Sequence, residues 1–186
     1  MSVEIDRILR DTPLQEEEKN IIFRGIVQLA QADGEMDPRE REYLRDVVTE
    51  FFPGANFDDM LATWRPLEKT DIVLSTQEAR QAFVTFLYMV AYADENFSDD
   101  EKKLLGDLTQ DLLTTQEITD IALEVRKYLY RRAVFHFALN ANYLHPDFAR
   151  EMARRFELDE TTAITLNRDV YDAIVVLRSG VEAQPA

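Results

Sequence analysis

The sequence predicts an all-α protein, and three observations carry that prediction. Glycine and proline are scarce, five and six in 186 residues, and most stand where helices should begin or end. Apolar residues recur at spacings of three and four along most of the chain, and almost nothing alternates as a strand would. With 46 per cent apolar residues, a chain of this length can bury a core without disulfides or metal staples.

Thr12 and Pro13 read as N-cap and first helical residue of "LQEEEKNIIFRGIVQLAQA", whose Ile22, Phe23, Ile26, Leu29 and Ala30 form one apolar face ending near Asp33. A helix from about residue 38 to Phe52 follows, stopped by Pro53 and Gly54, with Tyr43, Leu44, Val47 and Phe51 facing the core. "NFDDMLATW" is a short helix closed by Pro66. Ser75 with Glu78, and Ser98 with Glu101, have capping-box spacing; the first opens a strongly apolar helix, the second one running to about Leu113. Beyond Thr115 helical periodicity persists for over six turns. Pro146 starts a shorter helix, Asp159 caps a last one ending near Arg178, and residues 179–186 read as a flexible tail. Residues 1–178 are expected to form a single domain.

One unit occurs twice. With an offset of 61 residues, Ala30 falls on Ala91, Ala32 on Ala93, Asp33 on Asp94, Glu40 on Glu101, Leu44 on Leu105 and Asp46 on Asp107. The repeat units, about 14–52 and 75–113, are helix-corner-helix pairs that each leave an apolar face to be covered. Two meanings attach to the corners. In one, Asp37 and Ser98 are N-caps, Glu40 and Glu101 close capping boxes, and Gly34 supplies a left-handed residue. In the other, Asp33, Glu40, Asp94 and Glu101 converge into an oxygen-rich site whose mutual repulsion demands a cation, Ca²⁺ or Mg²⁺ by ligand hardness. Asp33 and Asp94, set at the negative ends of helices, fit the first meaning less easily. The corner lacks the D-x-D-x-D-G series of an EF-hand.

"ADGEMDPREREYL" and "ADENFSDDEKKLL" resemble the paired motifs of the tellurite-resistance TerB-like family. The resemblance covers about residues 14–130 and implies a helical bundle built on a duplicated unit, with extra C-terminal helices. It also implies acidic metal-binding positions, here Asp33, Glu40, Asp94 and Glu101. A non-enzymatic binding or sensing role in stress response, near the membrane through partners, is further implied. Glu95 stands where the motif's usual glycine would be.

Charge and residue inventory narrow the chemistry. The net charge is −15; residues 1–125 hold 12 basic and 28 acidic side chains, residues 126–155 hold 7 and 2, and the remainder 2 and 6. So acidic a chain is a poor nucleic-acid partner and favours cations or basic proteins. With no cysteine there is no disulfide, thiolate metal site or Cys nucleophile, which fits the cytoplasm. No G-x-S-x-G, P-loop or dinucleotide fingerprint is present, so an enzyme would have to be a metal-dependent hydrolase using the corner carboxylates. His136 and His145 read as core or capping residues. The run "VRKYLYRRAVFHF" places Arg126, Lys127, Arg131 and Arg132 beside Tyr128, Tyr130 and Phe135. It is either a solvated stripe beside a buried one, its bases answering the acidic bulk of the molecule, or a docking surface for an acidic protein or anionic lipid, extended by Arg150, Arg154 and Arg155, which would make the protein a helical adaptor.

Overall fold

The computed structural model describes residues 4–34, 36–93, 97–141 and 144–179, and among them every regular element is helical. The chain divides into two compact units, Met1–Val125 and Arg126–Ala186. Both expected repeat units lie within the first.

The first unit contains α1 (Ile5–Asp11), α2 (Glu16–Ala30), α3 (Pro38–Phe51), α4 (Phe57–Ala62), α5 (Gln77–Ala93) and α6 (Asp99–Thr109). Its centre is the α2–α5 pair, with α1 against α5 and with α3 and α6 against α2. Ile22, Ile26 and Leu29 of α2 and Phe83, Phe86 and Leu87 of α5 are fully buried, as the spacing requires. Gly25 lies at this crossing, where an added Cβ would come 2.9 Å from the Phe83 ring. Glycine is present there for close packing and not as a helix breaker. Phe86 also meets Phe51 edge-on at 5.6 Å and Phe52 at 5.1 Å, tying α5 to the end of α3.

Several boundaries differ from the sequence expectation for local reasons. α2 begins at Glu16 because Gln15 and Glu18 cap each other, leaving Thr12 and Pro13 outside the helix. α1 has no side-chain cap to announce it. Helix α6 stops at Thr109, short of Leu113, and Asp111 turns the chain with φ 68°, a left-handed conformation. Gly34 does take a positive φ, but at 152° it lies far from the left-handed helical value near +57°.

The second unit comprises the later part of α7 (Thr115–Ala141), α8 (Pro146–Arg155) and α9 (Glu160–Ser179). Tyr130, Val134 and Ala138 of α7, Ala149 of α8 and Ala163, Leu166, Val170 and Ile174 of α9 make its core. Phe137 stacks on Phe148 at 4.1 Å. The Tyr130 hydroxyl donates to Asn167 Oδ1 at 2.8 Å, and Arg126 pairs with Glu157 at 2.7 Å. Among the described residues no helix is long and apolar enough to cross a membrane.

Candidate functional site

The two corners are closed by the same device. At the first, Asp37 Oδ1 accepts from the Arg39 and Glu40 N–H groups while Glu40 Oε2 accepts from the Asp37 N–H at 2.6 Å. At the second, Ser98 Oγ accepts from the Glu101 N–H at 3.1 Å and Glu101 Oε2 accepts from the Ser98 N–H at 2.7 Å. Each box satisfies donors that a helix start leaves unpaired. The environments differ, since Glu40 is half-buried and Glu101 is buried.

The four carboxylates proposed for a cation are therefore distributed as follows. Glu40 and Glu101 each give one oxygen to the backbone. Asp33 is exposed in the turn beyond Ala30, where α2 ends, and not in the helix's last turn as its spacing suggested. Asp94 lies outside the described residues, as does Glu95. Among the described residues no group of three or more His, Asp or Glu side chains is placed to hold a metal ion.

The basic-aromatic run of α7 is drawn largely into the second unit's own structure. Tyr130, a residue expected at a docking surface, is fully buried, because the turn that carries it faces α9. Arg126 is held by Glu157, and Arg132 donates to the Tyr128 hydroxyl at 3.0 Å with its guanidinium 5.7 Å over the same ring. Lys127 and Arg131 are half-buried. Arg150 pairs with Asp147, while Arg154 is exposed. His145 caps α8, its Nδ1 accepting from the Asp147 N–H at 3.2 Å. His136, by contrast, is exposed on α7 and neither packs in a core nor caps a helix.

Two buried charged residues of α2 went unread in the sequence. Arg24 donates from Nε to the Arg65 carbonyl at 2.9 Å, and from Nη2 to the Pro66 carbonyl at 2.7 Å and to Asp71 at 2.6 Å. Glu18, 5 % exposed, accepts at Oε1 from both the N–H and the hydroxyl of Ser75. Burial pushes the Glu18 carboxyl up, but the Ser75 hydroxyl and the backbone N–H groups of Gln15 and Ser75 outweigh it and hold the group below the usual range. Ser75 is thereby taken from its expected capping role; Thr76 Oγ1 accepts from the Ala79 N–H instead. These groups fasten the 64–75 segment, which carries one turn of 3-10 helix at Lys69–Asp71, to α2, where Gln28 and Leu67 add a reciprocal pair. Their work is structural.

A shallow groove beside the start of α7 is lined by Gln77, Arg80, Asp111, Thr114 and Glu117. Glu117 is engaged by Thr114 and Gln77, and Asp111 by Lys69, and the groove holds no nucleophile-base pair.

The surface that stands out is apolar. Of eight large exposed hydrophobic residues among the described residues, five lie on α9: Ile164, Tyr171, Val175, Val176 and Leu177. The Tyr171 hydroxyl accepts from the Leu144 N–H at 3.2 Å, so its ring is held in place while 44 % of the residue remains exposed. The signal is legible in the sequence of α9, whose apolar residues fall on more than one side of the helix.

This is thus an all-α protein with two alike-capped corners and a set of exposed apolar side chains on its last helix. No family model, no curated protein and no solved structure matches the chain.

Proposed function

We propose that this protein is a non-enzymatic binding module of the TerB-like type that works through a helix face. The observation that carries the reading is the concentration of exposed large apolar side chains on α9, where five lie, against two, Leu123 and Leu139, on the other described helices. Support for the TerB-like type comes from the two corners. They share one reciprocal cap at positions 61 residues apart, and the helices that precede them, α2 and α5, pack on each other.

A resident cation is not built into this reading, because Glu40 and Glu101 already serve backbone donors. A metal-dependent hydrolase would need those same carboxylates to hold an activated water, and both are engaged in closing the caps. The α7 bases are less suited to docking than the α9 face, since Arg126 and Arg132 are engaged within their own unit.

A photo-crosslinking residue in place of Val175, in the full chain in cells, tests the reading, with one at exposed Glu42 as control. The expected result is a protein adduct from position 175 and none from 42. No adduct from 175 overturns the binding face. Turnover of a phosphoester or peptide in Mg²⁺, Ca²⁺ or Mn²⁺, abolished by Glu40→Gln with Glu101→Gln, overturns the non-enzymatic reading in favour of the hydrolase.

A further inference from the structure

Ile164, Arg168, Tyr171 and Val175 follow one another along α9 at spacings of four, three and four. At 100° per residue all four fall on one side of the helix, within a stripe about 17 Å long. This is not the side that packs inward, which carries Ala163, Leu166, Val170 and Ile174. All four stripe residues are exposed.

The spacing reads the same in both directions. An identical stripe running antiparallel therefore sets Ile164 opposite Val175 and Arg168 opposite Tyr171, and a two-fold axis repeats both contacts. An apolar side chain meets an apolar side chain, and a guanidinium meets the face of an aromatic ring, which attracts it. Asp172, next to Tyr171, adds a carboxylate at the edge where the incoming Arg168 arrives. Arg168 and Asp172 are both exposed. Self-complementarity of this kind is what a two-fold interface between copies requires.

Net charge allows the same pairing. Residues 126–186 hold nine basic and eight acidic side chains, whereas residues 1–125 carry a net charge of −16. Two copies meeting through α9 bring near-neutral surfaces together, while a contact between first units would oppose two strongly negative ones.

Resting on the reading of α9 as a binding face, we propose that its occupant is a second copy of this chain, joined by antiparallel α9–α9 pairing with Ile164 against Val175 and Arg168 against Tyr171. One helix from each copy makes a small interface, at the lower end for stable complexes, so the dimer exchanges with monomer as concentration changes.

Sedimentation velocity on the full chain over a concentration series tests this. Wild type is expected to shift from monomer to dimer. Val175→Glu, an exposed substitution, should raise the dimer dissociation constant at least tenfold with unchanged helical circular dichroism. The register has its own test, because the chain has no native cysteine. Ile164→Cys with Val175→Cys should yield a covalent dimer on mild oxidation. Ile164→Cys alone should not, since that residue lies about 17 Å from its own symmetry mate along the paired helices. A wild type that stays monomeric throughout, a dimer indifferent to Val175→Glu, or equal cross-linking by the single and double cysteine variants overturns the proposal. A position-175 adduct with a different protein, together with a monomeric wild type, overturns the second copy alone and leaves the binding module standing. Absence of any adduct removes both.

Discussion

The first unit uses buried charge to hold its irregular segments, whereas the second leaves apolar surface facing outward. In residues 1–125, Arg24 and Glu18 reach from α2 to the 64–75 segment and satisfy backbone groups that no helix supplies. In the second unit one side of α9 packs on α7 and α8, and the other shows Ile164, Tyr171 and Val175 to the outside. The contrast separates two jobs for similar sequence patterns. A charge inside a helix-rich unit can be a fastener, and an apolar residue on a helix can be left for something beyond the unit.

The largest effect that would break this contrast is expected at Arg24. Arg24→Ala removes a buried guanidinium from two carbonyls, and charge-assisted hydrogen bonds of this kind set the expected loss at about 3 kcal/mol, read by urea unfolding. A loss no greater than that of an exposed arginine such as Arg39 would show that the 64–75 segment is held without it.

Glu18→Gln should cost less, about 1.5 kcal/mol at neutral pH, because the amide keeps an acceptor for Ser75 but loses the charge. The folded carboxyl lies below its unfolded value, so its contribution is present above the ordinary glutamate value of 4.5. It is lost as pH falls through the lower folded value. Unfolding curves of wild type and Glu18→Gln should thus converge in acid. A stability gap that stays constant from pH 7 to pH 3 would show that the charge of Glu18 is not what fastens the segment.

The smallest effect sharpens the account of the second unit. Tyr130→Phe keeps the buried ring and removes the bond to Asn167, an expected loss of about 1 kcal/mol. If it left stability untouched, α7 and α9 would be joined by apolar packing alone.

Much of this molecule could be read in advance wherever a local rule was enough. Asp37 with Glu40 and Ser98 with Glu101 cap where their spacing said, because a capping box closes within four residues and needs nothing from elsewhere. Pro146 and Asp159 open their helices for the same reason. Ser75 shows where such reading stops. By spacing it was a cap, but Glu18, 57 residues away, offers its N–H and hydroxyl a buried carboxylate, and no local pattern reports that partner. Of the two readings of its run, Tyr130 follows the buried stripe and not the docking surface, on similar grounds. Its neighbours in sequence are basic, while its neighbours in space are the apolar core and Asn167.

By itself, then, the sequence determined that the chain is helical, where most helices start, and that residues 1–125 carry the excess negative charge. These follow from spacing, caps and composition, which act over a few residues or over none in particular. Only the tertiary structure decided which charges are fasteners and which apolar side of α9 stays uncovered. Both depend on which helices meet, and periodicity fixes a face without naming what lies against it.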